Sequence, residues 1–268
     1  VCKTSRSLQV RAVGRRYLRL DRHVEGFARL SPSILREFFT YSVVGLASDP
    51  DALDSSCREA AARIGEISSR KLELARRMVS HIMTELGEGG QEDDRFSFIV
   101  AGDIVYGMAH EVPRPERSMG RLVRGSDIDL VVAARDDVPD SFIERLDGII
   151  YRKKYRMLID PDVNEEVDYK IKKLALIREQ TAFDSFPRMV AMKILQEGVL
   201  IHGSRELFGE IKGMIEEKGL LARLSELEGL AETFRRKAEE SILYEGLNKE
   251  AVERMHLFYS AEEFEEFE

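Results

Sequence analysis

Two cysteines, Cys2 and Cys57, are all the thiols of this chain. Two cannot build a disulfide scaffold, and no metal-ligand spacing surrounds them, so a reducing, cytoplasmic setting is expected. No apolar run approaches the roughly 18 to 20 residues that a membrane helix needs, and no membrane partner is expected. The start, Val1-Cys2-Lys3-Thr4, lacks the apolar stretch of a secretory signal, so none is expected. Internal repeats and long low-complexity segments are missing too. His23, His110, His202 and His256 form no cluster that reads as a metal site.

What is present is a chain of 268 residues, enough for one large domain or two ordinary ones, with 43% hydrophobic and 34% charged residues. That is ample material for a core. The net charge of -8 is unevenly spread. Lys3, Arg6, Arg11, Arg15, Arg16, Arg19, Arg22 and Arg29 are opposed in the first thirty residues only by Asp21 and Glu25, whereas Ala261 to Glu268 is strongly acidic. A basic arm can meet nucleic acid or an acidic protein partner, or form a solvated helix face. The overall acidity argues against nonspecific coating of nucleic acid.

Three regions are expected. Residues 1–91 form a mainly helical N-terminal region: Ala61, Ile64, Ile67, Leu72, Ala75, Val79, Ile82 and Leu86 recur at helical spacing. The run from Gly87 to Asp94 breaks that pattern and marks a boundary. Residues 92–205 read as mixed α and β. Strands are predicted at Phe96–Ala101, Ile128–Ala134, Glu165–Ile171 and Val199–His202, and helices at 141–157 and from Pro187 to near Gly198. Residues 206–268 return to helix, with breaks near Gly219 and Gly246 and the acidic tail at the end. The fold class is therefore α+β, a mixed sheet with helices, flanked by helical segments.

The chemistry concentrates in the middle region. Asp127 and Asp129 stand two apart, and strand residues i and i+2 share a face. Both carboxylates then project together while Ile128 and Leu130 anchor the opposite face. Like charges that close repel unless a cation sits between them, and Mg²⁺ favours such oxygen ligands. The same pair also suits a solvated turn. Asp168, in Val167-Asp168-Tyr169, supplies a third carboxylate if its strand runs beside the first. Glu166, on the same face, is its competitor. Three carboxylates can hold two metals at about 3.5 to 4 Å, the spacing used for in-line phosphoryl displacement. Upstream, Gly102-Asp103 follows a strand and Gly107 comes soon after, and glycine lets backbone approach phosphate closely.

These residues resemble the DNA polymerase β-like nucleotidyltransferase superfamily, especially its small bacterial members of the kanamycin nucleotidyltransferase-like and minimal nucleotidyltransferase type. Gly102 and Gly107 match the glycine turn, Gly125-Ser126-Asp127-Ile128-Asp129-Leu130 matches the metal-binding strand, and Val167-Asp168-Tyr169 looks like the third-carboxylate strand. Ile194 to Gly203 resembles the segment that closes the domain in the smaller members. The resemblance covers about residues 92 to 205. It implies a nucleotidyltransferase-type sheet and an enzyme that moves a nucleoside monophosphate from a triphosphate such as ATP to an acceptor hydroxyl on a small molecule, a protein or an RNA end. Asp127, Asp129 and Asp168 would be catalytic and bind two Mg²⁺ ions, with Mn²⁺ able to replace them. Gly102, Asp103, Gly107, Gly125, Ser126, Arg121 and Arg124 would contact the nucleotide.

Two departures from the family pattern stand out. Asp103 occupies the position where the family has serine, and a carboxylate there repels a triphosphate unless metal or arginine compensates. The connection from Met108 to Arg124 is long and carries Arg114, Arg117, Arg121 and Arg124, whose guanidinium forks suit phosphate oxygens. The alternative is a nucleotide-binding or regulatory module of the same fold without turnover. Arg76 and His81 also have the Arg-x4-His spacing of HEPN-type ribonucleases, a spacing common by chance on a charged helix.

Overall fold

The computed structural model describes residues 2–87, 94–116, 120–244 and 257–259. Its contacts divide the chain into two units, one made of Val1–Glu66 with Arg223–Glu268 and the other of Ile67–Ala222.

Over its first forty-nine residues the first unit departs from the expected helical start. Short strands β1 (Leu8–Ala12), β2 (Tyr17–Leu20), β3 (Ala28–Ser31) and β4 (Ser42–Leu46) occupy it, with helix α1 (Ile34–Thr40) between the last two. Strand β1 pairs antiparallel with β4, and β2 with β3. The positive charges of this stretch hid the pattern, because several of them are used inside the unit. Arg29 is buried beside Asp21 at 3.1 Å. Arg16 reaches Glu37 at 2.6 Å and Glu239 at 2.7 Å, and buried Arg235 reaches Glu37 at 3.1 Å. The arm read as a solvated helix face or a nucleic-acid contact is thus partly spent on internal ion pairs.

Helix α2 (Pro50–Leu86) is the long amphipathic helix that the spacing predicts. The Asp49 carboxylate accepts from the Ala52 N–H at 3.1 Å at its start. At its end Gly87, at φ 85°, turns the chain away. Arg76 and His81 are both exposed on it.

The second unit is built on a four-stranded sheet. In chain order come β5 (Phe96–Ala101), one-turn α3 (Asp103–Tyr106), β6 (Pro113–Pro115), β7 (Leu122–Arg124), β8 (Ile128–Ala134), α4 (Asp140–Ile159), β9 (Val167–Lys173), α5 (Leu174–Gln180), α6 (Phe186–Glu197), β10 (Val199–Gly203) and α7 (Arg205–Glu217). Helix α8 (Leu220–Tyr244) follows the turn at Gly219. The sheet order is β10-β5-β8-β9, with β8 and β9 parallel and the other pairs antiparallel. The chain is therefore a mixed α+β protein. All four predicted strands of the middle region form, two of them with the predicted bounds. The region beyond Tyr244, where a break near Gly246 and the acidic tail were expected, lies outside the described residues apart from 257–259.

Packing explains why the sheet strands read as apolar runs. Phe96, Phe98, Val100, Ile128, Leu130, Val132 and Val167 form one core with Val79, Ile82 and Leu86 of α2 and Leu146, Ile149 and Ile150 of α4. The alternate residues Ser97, Ile99, Ala101, Val131 and Ala133 are buried as well, so both faces of the two central strands are covered. Among the described residues no helix is long and apolar enough to cross a membrane.

Leu146 is fully buried in this core. Leu146→Ala is expected to cost about 2–5 kcal/mol, read from urea unfolding. A loss below about 1 kcal/mol, within reach of an exposed substitution, would contradict the packing of α4 on the sheet.

Candidate functional site

The site lies where three strands of the sheet end or begin together. Parallel pairing sets Asp129 of β8 directly opposite Asp168 of β9, and Ile128 opposite Val167. Paired residues on neighbouring strands share a face at roughly 4.8 Å between strands. Asp129 and Asp168 are thus side by side, while Ile128, Leu130 and Val167 point into the core. Antiparallel pairing of β5 with β8 sets Ala101 opposite Asp129, so the next residue, Gly102, turns beside that carboxylate. Gly102 has φ 73°, and a Cβ there would collide with the Asp129 carboxylate. Only glycine fits this approach.

Asp127 precedes β8 in a turn that is held from several directions. Gly125 has φ 59°, and a Cβ there would strike the His110 carbonyl. The buried Ser126 hydroxyl donates to the Asp103 carboxylate at 2.8 Å and accepts from the His110 N–H at 3.2 Å. The residue that departs from the family pattern is therefore bonded to the Gly-Ser turn. Gly107, at φ 67°, closes α3. The Gly102 N–H donates to Glu197 at 3.1 Å, and Glu197 is held in turn by Lys193, which also donates to the Tyr106 hydroxyl at 2.7 Å.

The anchor of the turn is Lys71 on α2, which is fully buried. Its ammonium donates to the Arg124 carbonyl at 2.7 Å, the Ser126 carbonyl at 2.8 Å and the Glu165 carboxylate. Burial pushes the Lys71 pKa down, against the pull of Glu165, and burial pushes Glu165 up. One turn earlier on the helix, the Ser68 hydroxyl accepts from the Ala109 N–H at 3.0 Å. Helix α2 thereby grips both segments that frame Asp127.

Cations already meet the carboxylates. Lys154 of α4 donates to Asp168 at 2.9 Å. Arg114 of β6 reaches Glu166 at 2.8 Å and Asp127 at 3.7 Å, and its Nε donates to the Gly125 carbonyl at 2.7 Å. Burial raises the Glu166 pKa; Arg114 opposes that, and Asp127 and Asp168 add to it. Among the described residues no group of three or more His, Cys, Asp or Glu side chains converges tightly enough to hold a metal ion as they stand. The donors are nevertheless of the right chemistry, hard carboxylate oxygens gathered at one strand end.

The sequence-derived candidates therefore divide. Asp127, Asp129, Asp168, Gly102, Asp103, Gly125 and Ser126 are drawn to this end of the sheet, and Glu166 stands beside them. Gly107 acts as a helix stop. Arg121 and Arg124 are exposed, and of the loop arginines Arg114 is the one that reaches the carboxylates; Arg117 lies outside the described residues. Lys71, Glu165, Lys154, Lys193 and Glu197 escaped sequence reading. A lone lysine at a core-facing position of an amphipathic helix was the one available signal for Lys71.

Lys71→Met leaves Glu165 buried and unpaired, and is expected to cost about 3–5 kcal/mol. Adding Glu165→Leu should restore much of that loss. Thermal unfolding of the two single variants and the double variant gives the coupling, and additive losses would contradict a shared buried pair. Compared with family models, curated proteins and solved structures, this chain matches none.

Proposed function

We propose that this strand end is the active site of a metal-dependent nucleotidyltransferase, with a nucleotidyltransferase-type sheet as its scaffold. The observation that carries the reading is the register of β8 and β9, which sets Asp129 beside Asp168 with Asp127 one turn before them and the Gly102 turn against Asp129. Two carboxylates from adjacent strands and a third from the turn before one of them, beside a tight glycine turn, suit Mg²⁺ and a nucleoside triphosphate. Asp127, Asp129 and Asp168 would hold the metal, and bound metal supplies charge neutralisation for the phosphates.

The chain's own groups do the rest. The Gly102 turn lets backbone come close to phosphate, and Arg114 is placed to meet phosphate oxygens once it leaves Glu166. Asp168, the most exposed of the three carboxylates, faces the acceptor and takes its hydroxyl proton. The acceptor oxygen bonds to the α-phosphorus, the bond from that phosphorus to the bridging oxygen breaks, and pyrophosphate leaves. Catalysis of this kind consists largely of positioning and charge stabilisation. A soluble setting in the cytoplasm suits such a substrate.

A second reading is a nucleotide-binding module without turnover. Asp103 favours it, because its carboxylate, held against the Gly-Ser turn by the Ser126 hydroxyl, puts a negative charge where a triphosphate would approach.

Asp127→Asn and Asp129→Asn are expected to lower nucleotidyl transfer by about a hundredfold or more while leaving stability equal to the parent or slightly higher, since each removes charge repulsion. Asp168→Asn should lose turnover but keep Mg²⁺-dependent nucleotide binding. Release of pyrophosphate from radiolabelled triphosphates, together with nucleotide titrations, reads both effects. Metal-dependent binding without any pyrophosphate release by the parent supports the binding module. No metal-dependent binding, with both Asn variants unfolding readily, makes these aspartates turn residues and overturns both readings.

A further inference from the structure

The opposite edge of the sheet carries a second feature. Among the described residues, strand β10 is paired on one side only, to β5. Beside it runs an open groove of about 830 Å³, lined by Gly198, by Val199 to Gly203 of the strand and by Arg205, Phe208 and Lys212 of α7. Those three residues are spaced i, i+3 and i+7, so they form one stripe along the helix. The five strand residues at about 3.3 Å each make the groove roughly 17 Å long, the shape of an extended chain rather than of a compact ligand.

Its chemistry differs from the rest of the chain. Among the described residues no carboxylate lines it, although the chain carries a net charge of -8. Two of the four acids of α7 are engaged elsewhere: Glu206 and Glu210 meet Arg135, and Glu210 also meets Arg178. Lys212 donates to the carbonyls of Gln196 and Gly198, so its charge sits at the Gly198 end of the groove, and Arg205 is exposed near the other. His202, with its ring edge-on to Phe98, has a buried Nε2 without a hydrogen-bond partner among the described residues.

The two edges of the sheet are also guarded differently. Lys170, Lys172 and Lys173 stud β9, and charged residues of that kind discourage strand addition. Strand β10 reads Val-Leu-Ile-His-Gly, with a register irregularity between Leu200 and His202 as its main interruption.

We infer that the groove between β10 and α7 binds an extended acidic peptide segment of a partner protein, which adds as a fifth strand to β10 and sets its carboxylates against Arg205 and Lys212. Main-chain hydrogen bonds to the unpaired edge supply affinity and the cationic helix stripe supplies selectivity. Self-pairing of two copies is disfavoured, because it brings two cationic linings together. The groove shares no lining residue with the carboxylate centre.

The test is fluorescence anisotropy with a fluorescein-labelled peptide about eight residues long, enough to span the groove, alternating valine and glutamate. Valine–lysine and valine–serine peptides and a copy N-methylated at alternate backbone nitrogens serve as comparisons. The glutamate peptide is expected to bind saturably. The lysine, serine and N-methylated peptides, and Arg205→Glu in the protein, should each weaken binding about tenfold or more. Arg205 is chosen because Lys212 also supports the end of α6. Hydrogen exchange should slow at Val199–Gly203 when the peptide binds. Absence of saturable binding, equal binding of the lysine or N-methylated peptide, complete competition by inorganic phosphate, or a β10-mediated dimer that the peptide fails to dissociate would overturn the proposal.

Discussion

Burying an ammonium group costs several kcal/mol unless it is fully paired, and Lys71 uses all three of its protons. Two go to the carbonyls of Arg124 and Ser126 and one to Glu165. Those partners come from the turn before β8 and from the residue that leads into β9, so a single side chain of α2 ties both strand starts to the helix. The pairing of Ile128 with Val167 and of Asp129 with Asp168 begins immediately beyond that tie. The side-by-side placement of Asp129 and Asp168 follows from this constraint together with the parallel register.

Charge compensation shapes the same site. Carboxylates at one strand end repel each other, and here Lys154 and Arg114 offset that repulsion. A cation arriving with phosphate would exchange with these side chains rather than meet bare carboxylates. The Gly-Ser turn is held by Lys71 and by the bond from Ser126 to Asp103. Asp103 thus has a structural role in the turn.

Much of this was legible in the sequence. The strands at Phe96–Ala101 and Ile128–Ala134 were readable because they are short apolar runs bounded by Gly102 at one end and by the aspartates at the other. Helix α2 was readable from its apolar spacing. What failed was the first forty-nine residues, where strands of four or five residues alternate with arginines that serve buried ion pairs such as Arg29 with Asp21; periodicity needs longer windows. The partners of the site failed for another reason. Lys71 and Glu165 are 94 residues apart in the chain, and nothing local distinguishes a lysine that enters the core from one that snorkels to solvent. Arg114 could be named among four loop arginines, but only the strand pairing of β6 with β7 selects it.

The most direct measurement is an anomalous difference map from crystals grown with Mn²⁺ and a non-hydrolysable nucleoside triphosphate. If the strand end is a nucleotidyltransferase site, a manganese peak lies against Asp127 and Asp129, the triphosphate runs along the Gly102 turn, and Lys154 has left Asp168 when a second ion is present. Triphosphate and manganese bound together elsewhere, or neither bound at millimolar concentration, would contradict it.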